Sequence, residues 1–376
     1  MERRRFLQSL LAAAATGLFG RPRPAVAAPA AAPAAGVVDF YCHFSSLRAI
    51  DFLESHGGSR PHPFRALFAN TAELIDPDRR LALMEECGVA HSVLVPLPWL
   101  ETAPAVWSDP RRCLEAARLL NDDLAATAAR HPDRFTAVAV LPTTNRDVLL
   151  AEFRRALDDL GMAGGLFVVG PTVKRPDHPD LEALYAEAEK RDAPLWIHPS
   201  RPATVPDYAD ERESRYQIWQ TLSWLQDSSA AMVRIVFAGV FERHPALKLV
   251  THHHGALVPL FAQRMQYGWD YFEQNTGRRQ PTTIRPPYIE HFRNFYCDTA
   301  TQGIAPQMIE TAVSFFGAER VLFGSDAPMD ASGGRHFTRD ALASVGRAGL
   351  RAEEKEKILR RNALRLLKRA EIPGKA

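Results

Sequence analysis

Short apolar runs alternate with longer amphipathic stretches along most of the chain. Eight runs predict buried strands: Val37–Phe40, Ser92–Val95, Thr136–Leu141, Gly165–Val169, Leu195–His198, Leu247–Thr251, Phe295–Asp298 and Val321–Gly324. The stretches between them predict helices over Asp78–Cys87, Pro110–Arg130, Arg146–Leu160, Asp180–Lys190, Ser229–Arg243 and Ala305–Phe316, with a closing helix over Glu353–Lys368. Strands that are apolar on both faces and are separated by helices indicate a parallel sheet.

The number of strands decides the predicted architecture. Eight strand–helix units indicate an α/β protein with a (β/α)8 TIM barrel, which we expect over residues 37–370. The chain has 376 residues, 46% of them hydrophobic, which suits one barrel of this kind. The alternative is a doubly wound open sheet. Such a sheet normally binds a nucleotide, and no GxGxxG motif follows the first run.

The amino terminus has the pattern of a targeting segment rather than of a folded element. Residues 1–27 begin with Arg3-Arg4-Arg5-Phe6-Leu7, continue through apolar Leu10–Phe19 and end on Ala25-Val26-Ala27. This pattern predicts a twin-arginine signal peptide and export to the periplasm. A general secretory signal or a lipid-free membrane anchor is the alternative. Residues 28–36 are rich in Ala and Pro and predict a flexible leader.

The charge of the chain limits its partners. The formal net charge is +2. Residues 1–27 hold five Arg and one Glu, so removing them from the 46 basic and 44 acidic residues leaves 41 and 43, a charge of −2. A nearly neutral mature chain argues against nucleic acid or an anionic membrane surface as a partner.

The four cysteines of the chain form no CxxC pair, so no zinc knuckle is predicted.

Polar residues follow several of the predicted strands at the point where each ends. His43 follows the first run, His198 ends the fifth and Asp326 follows the eighth. In a barrel these strand ends meet at one mouth, where active sites lie. Two imidazoles and a carboxylate match an open catalytic metal site, so these three residues are predicted to hold one divalent ion, zinc or manganese.

Three histidines follow the sixth run. Strand alternation places His253 on the same face as Leu249 and Thr251, and places His252 and His254 on the opposite face. Taking the first of these faces as the inward one makes His253 the candidate for acid–base chemistry. The alternative is that His252 or His254 is the functional residue. In the first run, the same argument turns Tyr41 and His43 inward and makes Cys42 an outward packing residue.

Motifs that carry a family resemblance extend through nearly all of the chain after the leader. They are Val38–Phe44, Arg80–Val95, His131–Phe135, Pro194–Pro199, His244–Lys248, Thr251–Gly255 with Pro259 and Arg264, Phe323–Asp326 and Ile358–Leu367. Their order and spacing resemble the amidohydrolase-related family of metal-dependent TIM-barrel enzymes. That family includes aminocarboxymuconate-semialdehyde decarboxylase and γ-resorcylate decarboxylase.

The resemblance implies a role for each residue at the barrel mouth. It implies metal ligands at Tyr41, His43 and His198, a general acid–base histidine at His253, and a catalytic carboxylate beside the metal at Asp326. Tyr41 departs from the family's His-x-His or Glu-x-His pair. A phenol is a poorer ligand than imidazole unless the metal ionises it. The metal is therefore expected to be held mainly by His43, His198 and Asp326.

The resemblance also implies an activity and a homodimeric state. The fourth run ends Val168-Val169-Gly170-Pro171 without the bridging Lys of binuclear relatives, which favours one metal ion. The implied activity is non-oxidative decarboxylation of a small aromatic or conjugated carboxylic acid, with Arg201, Arg264 and Trp99 as candidate substrate-binding residues. The alternatives are hydrolysis of a lactone or ester, with or without metal, and a non-catalytic binding barrel.

Overall fold

The strands are short, parallel and neighbours in sequence order. The computed structural model describes residues 36–57, 60–300 and 302–372. Within them the strands are β1 Val37–Phe44, β2 Val89–Pro96, β3 Phe135–Ala137, β4 Ala139–Val140, β5 Gly165–Val169, β6 Leu195–Pro199, β7 Leu249–Thr251, β8 Tyr296–Asp298 and β9 Val321–Leu322. The predicted signal peptide, residues 1–27, and residues 28–35 of the predicted leader lie outside the described residues.

The strands close into a barrel. One sheet runs β1-β2-β3 and the other runs from β4 to β9 in order, with every pair parallel. β3 and β4 are two parts of one strand, because only Val138 separates them and its amide donates to Leu94 O at 3.1 Å. β9 returns to β1, since the Phe40 amide donates to Phe323 O at 2.8 Å. The predicted (β/α)8 barrel is therefore confirmed, and an open doubly wound sheet is excluded.

Helices surround the barrel and connect successive strands. They span α1 Leu47–Ser55, α2 Pro63–Asn70, α3 Pro77–Cys87, α4 Pro104–Trp107, α5 Pro110–Arg130, α6 Arg146–Asp158, α7 Pro179–Lys190, α8 Ile218–Thr221, α9 Ser223–Phe237, α10 Val240–Arg243, α11 Val258–Thr276, α12 Pro306–Phe316, α13 Arg335–Arg347, α14 Ala352–Glu356 and α15 Asn362–Leu366. None of these helices is long and apolar enough to cross a membrane.

Local chemistry explains where helices begin and end. α5 starts as predicted because the Asp109 carboxylate accepts from the amides of Arg111 and Arg112, and Pro110 needs no amide partner in the first turn. The predicted helix over Ser229–Arg243 is wrong at its C-terminal part. Gly239 has φ +69°, so α9 stops before it and α10 starts after it.

Two apolar layers hold the barrel together. Inside it, Phe40 and Trp196 stack with ring centroids 5.0 Å apart, and Val250 and Leu322 join the same buried cluster. A larger cluster lies between the strands and the helices and contains Cys42, as expected for an outward packing residue. Each fully buried apolar side chain of this size contributes about 1.5–3 kcal/mol.

A bulge in β1 shapes the first strand end. Asp39 pairs with Ser92, but Cys42 pairs with Leu94, so β1 has one residue more than β2 over this stretch. Tyr41 lies in the inner cluster as predicted, but its neighbour Phe40 lies there too, where strict alternation would turn Phe40 outward. Simple alternation of side chains does not predict such an irregularity.

Candidate active site

Five polar side chains from five strand ends converge at one mouth of the barrel. They belong to His43 on β1, His198 on β6, His252 just after β7, Asp298 at the end of β8 and Asp326 after β9. All five residues are buried. The predicted ligands His43, His198 and Asp326 are thus brought together. His252 was named from the sequence only as the alternative to His253, and Asp298 ends the seventh predicted strand but was given no role.

Asp326 lies at the centre of this cluster. Its Oδ1 is 3.2 Å from His43 Nε2 and 3.5 Å from His252 Nε2. Its Oδ2 accepts a hydrogen bond from Gln302 Nε2 at 3.0 Å and lies 4.0 Å from His253 Nε2. Burial alone would raise the pKa of Asp326, but the contacts with His252 and His43 outweigh it and hold the pKa well below the usual range. The carboxylate is therefore ionised in the resting site.

The backbone around Asp326 is fixed by close contacts. Asp326 has φ +61°, a left-handed conformation that few non-glycine residues adopt, and its amide donates to Tyr41 O at 3.0 Å. Gly324 lets the strand end approach its neighbours. A Cβ at this position would lie 2.8 Å from Tyr41 Cβ and 2.9 Å from Asp298 Cβ. This turn therefore needs glycine to place the carboxylate.

The assignment of the inward face after β7 was wrong. Thr251 faces the helices, with its Oγ1 3.7 Å from Met232 Sδ, and Leu249 joins the outer cluster. The inward face carries Val250, and His252 continues it. Both faces of a barrel strand are apolar, so hydrophobicity alone does not say which face is inward.

His253 reaches the site by a different route. β7 has ended at Thr251, and a tight turn over His253–Gly255 follows with φ +58° at His253 and +57° at His254. This turn brings His253 Nε2 to the 4.0 Å contact with Asp326. Its neighbour His254 is buried, and burial followed by the charge of His252 lowers the pKa of His254 to about 3. The predicted acid–base residue is thus beside Asp326, together with His252.

The imidazoles are oriented as metal ligands are. His43 Nδ1 lies 3.3 Å from Val95 O and His198 Nδ1 lies 2.6 Å from Pro199 O. In a neutral imidazole, which is the form that binds a metal ion, a hydrogen bond from Nδ1 to a carbonyl leaves Nε2 with its lone pair toward the centre. Burial, then the charges of His43 and His252, holds the pKa of His198 well below the usual range, so it is neutral and able to coordinate.

The donor set fits a divalent ion. One ligand atom each from His43, His198 and His252 lies within 4.8 Å of the other two, and the same holds for His252, His253 and Asp326. His252 Nε2 is a buried atom without an ordinary hydrogen-bond partner among the described residues. An unpaired buried nitrogen costs about 1–3 kcal/mol, which coordination would remove. Imidazole with carboxylate suits zinc, and carboxylate also suits manganese.

The contacts of Tyr41 are not those of a metal ligand. Its hydroxyl donates to Ile197 O at 3.3 Å, and its ring stacks on His252. Burial, then the charges of Asp298 and Asp326, holds the pKa of Tyr41 well above its usual value. The phenol is therefore protonated, and this geometry does not support Tyr41 as a metal ligand.

The predicted substrate-binding residues lie away from the centre. Arg201 is paired with Asp227 through two contacts of 2.9 and 3.0 Å. Trp99 is fully buried in the outer apolar cluster, and Arg264 is exposed on α11. None of the three lines the cavity beside the centre. Their positions after strand ends or within a motif did not show which way the side chains point.

A cavity of 310 Å³ lies beside the centre and reaches it through His253 and Gln302, which both contact Asp326. Its floor includes His253 and Gln302, and its walls include Trp224, Leu260 and Met308. Trp224 stands edge-on to His198, with ring centroids 5.4 Å apart and planes at 76°, and its Nε1 donates to Arg201 O at 3.1 Å. A cavity of this size with mostly apolar walls suits a small molecule with one ring.

The fold and these side chains define a class of protein, a parallel barrel with a buried histidine–carboxylate centre at its strand ends. The sequence profile of the family described as amidohydrolase matches residues 38–369. The chain therefore belongs to the amidohydrolase family, which confirms the resemblance found in the sequence.

Relatives with known activities and structures match most of the chain. γ-Resorcylate decarboxylase of Rhizobium sp. (strain MTP-10005) is 30% identical over 304 residues, which cover 77% of this chain and 86% of that protein. 2-Amino-3-carboxymuconate-6-semialdehyde decarboxylase of Dictyostelium discoideum is 26% identical over 255 residues, covering 67% of each. A crystal structure of 2,6-dihydroxybenzoate decarboxylase complexed with 2,6-dihydroxybenzoate has a TM-score of 0.71 and 28% identity, covering 89% of this chain and 99% of that one.

Proposed function

We propose that this protein is a metal-dependent, non-oxidative decarboxylase of a small aromatic or conjugated carboxylic acid. The observation that carries the proposal is the convergence of His43, His198, His252 and Asp326 beside a mostly apolar cavity. The relatives named above, with 26–30% identity, are all decarboxylases. Their activity supports the same reaction type for this chain.

The metal would be held at the centre of the cluster. His43, His198 and Asp326 are the ligands predicted from the sequence, and His252 adds a fourth donor, which is its Nε2. When bound, a divalent ion would supply positive charge that holds an anionic oxygen of the substrate and balances the charge of its carboxylate. Zinc or manganese fits this donor set, and one ion fits its size.

The cavity would bind the ring of the substrate, and the carboxylate of the substrate would then lie at the metal centre. Trp224, Leu260 and Met308 offer apolar surface, which excludes water from the reacting carbon. Among the described residues that line the cavity there is no Lys or Arg. The charge of the carboxylate must therefore be balanced at the metal centre rather than by a cation in the wall.

His253 and Asp326 are placed to handle the proton that the reaction needs. Decarboxylation requires a new C–H bond at the carbon that bears the carboxylate. The C–C bond then breaks, its electron pair returns to the ring, and carbon dioxide leaves. The side chain of His253 is 13% exposed, compared with 6% for Asp326. We infer that solvent protons enter through His253 and pass to Asp326, which delivers them to the carbon.

Turnover in deuterium oxide tests this proposal. Purified protein, loaded with zinc or manganese, would be incubated with a panel of hydroxybenzoates and conjugated carboxylic acids. We expect release of carbon dioxide and a product carrying one deuterium at the vacated carbon. A matched panel of lactones and esters provides the contrast. Ring opening of a lactone with no carbon dioxide from any acid would replace decarboxylation with hydrolysis.

A further inference from the structure

Asp298 is a fully buried carboxylate whose two oxygens have separate contacts. Oδ1 accepts from the backbone amides of His253 and Ala300, each at 3.0 Å. Oδ2 lies 2.5 Å from His252 Nδ1. One side chain at the end of β8 thus holds the ring of one histidine of the centre and the backbone of the next.

This contact fixes the hydrogen positions of His252. An ionised carboxylate can only accept, so Nδ1 of His252 must carry the hydrogen. In the neutral imidazole, which is the form that can coordinate a metal ion, Nε2 then holds the lone pair. Nε2 points into the centre, where the nearest described acceptor is Asp326 Oδ1 at 3.5 Å, longer than an ordinary hydrogen bond. The ligand atoms of His43 and His198 lie within 4.8 Å.

We propose that Asp298 is a positioning residue that presents the lone pair of His252 Nε2 to the metal centre and anchors the turn that carries His253. A carboxylate that orients a ligating imidazole in this way typically strengthens metal binding 10–100-fold. The inference rests on the proposed metal-dependent function, but it can be measured without substrate.

Asp298→Asn is the informative substitution because the amide reverses one hydrogen bond. The two backbone amides at Oδ1 require an acceptor, so the oxygen of Asn must face them. Its NH2 group must then face His252 Nδ1, which has to become the acceptor. The hydrogen of the imidazole moves to Nε2, which can no longer coordinate. We expect the affinity for zinc and manganese to fall about 10–100-fold.

Asp39→Asn is a matched control for the loss of a buried negative charge. Asp39 Oδ1 also accepts from two backbone amides, those of Ser325 at 3.1 Å and Tyr41 at 3.4 Å. Its Oδ2 accepts from Ser325 Oγ at 2.5 Å. A hydroxyl can turn and accept from the new NH2 group, whereas an imidazole must change its tautomer. We expect Asp39→Asn to bind metal as the wild type does.

Metal titration by calorimetry, together with a double-mutant cycle, tests whether Asp298 acts through His252. The His252→Gln variant should bind metal more weakly, and adding Asp298→Asn to it should cause little further loss. Losses that add in the double variant, or a loss in Asp39→Asn equal to that in Asp298→Asn, would show a merely structural role and overturn the proposal.

Nitrogen NMR of the zinc-loaded wild type provides a test that needs no Asp298 variant to fold. With 15N-labelled histidine, and with the His252 signals assigned by their absence in His252→Gln, we expect hydrogen on Nδ1 and none on Nε2. Hydrogen on Nε2 would refute the role of Asp298 and leave decarboxylation untouched. If the wild type binds neither zinc nor manganese, the metal-dependent function fails together with this inference.

Discussion

Tyr41 and His252 lie face to face at the barrel mouth, with ring centroids 3.9 Å apart and planes inclined by 12°. The phenol therefore supports the imidazole from one side, while Asp298 holds it at the edge. This arrangement gives Tyr41 a packing role at the position where the family resemblance implied a metal ligand. The stack keeps His252 from turning out of the centre.

The Tyr41→Phe substitution separates packing from coordination. Phe keeps the stacked ring and removes only the hydroxyl that donates to Ile197 O. We expect the free energy of unfolding to fall by about 0.5–1.5 kcal/mol, with the metal content of the purified protein unchanged. Elemental analysis with urea unfolding checks both. A variant that has lost its metal would make Tyr41 a ligand, as the family resemblance implied.

Gly324 should tolerate no side chain. The Cβ of Gly324→Ala would press on the stems of Tyr41 and Asp298, which have no freedom to swing away. We expect destabilisation by about 1–3 kcal/mol, measured by urea unfolding.

Gly268→Ala is the matched control for Gly324→Ala. Gly268 is inside α11, and a Cβ there would meet no atom within 4 Å. Because alanine favours a helix interior, this variant should gain about 0.5–1 kcal/mol. Equal effects at the two glycines would contradict the close approach at the strand end.

The sequence was sufficient to predict the barrel and to identify the strand ends that carry most of the site residues. His43, His198 and Asp326 each follow an apolar run, and parallel strands with helical crossovers bring such ends together. The choice between His252 and His253 needed information that the pattern lacks. Thr251 and Val250 are both buried, on opposite faces of β7, so burial preference does not identify the inward face.

The contacts between particular side chains could also not be predicted from the sequence. Arg201 follows a strand end as an active-site cation would, yet its guanidinium is paired with Asp227, which lies 26 residues further along the chain. Asp298 was recognised as a strand-end residue, but only the structure shows that it contacts His252. Contacts of this kind depend on the register between strands and on loop paths, neither of which has a local signal.

The buried side chain of His91 should make the free energy of unfolding depend on pH. It is fully buried on β2, with Nδ1 3.0 Å from Asp133 O and Nε2 2.8 Å from Thr136 Oγ1. Burial is the main cause that lowers the pKa of His91 to about 4, from 6.5. Between these values the unfolded chain binds a proton and the folded protein does not. The contribution of neutral His91 to the free energy of unfolding is therefore fully present above pH 6.5. It is lost as the pH falls toward 4, at about 1.4 kcal/mol per pH unit.

The His91→Gln variant tests this dependence. Gln keeps polar atoms for the two contacts and has no titration in this range. Urea unfolding from pH 7.5 to 4.5 should show a smaller loss of stability for the variant than for the wild type. Parallel curves would mean that His91 titrates alike in the folded and unfolded states.

Export can be tested on the first residues of the chain. Arg3 and Arg4 belong to the predicted twin-arginine motif, which lies outside the described residues. Changing both to Lys keeps the charge and removes the arginine pair. We expect the precursor to stay uncleaved in the cytoplasm, as judged by immunoblotting of cell fractions. Normal processing of this variant would favour a general secretory signal.

Asp326→Asn is the most direct test of the catalytic assignment. The amide keeps the size of the carboxylate, so we expect the fold and thermal unfolding to change little. It can neither take a proton from His253 nor deliver one to a carbon, and it is a weaker metal donor. Turnover should therefore fall by about 10³ even at saturating metal, since a general acid typically contributes 10²–10⁴ in rate. Asp39→Asn, which also neutralises a buried carboxylate but lies within β1 rather than at its carboxyl end, should keep its activity. A near-wild-type rate in Asp326→Asn would instead assign the proton transfer to His253 alone.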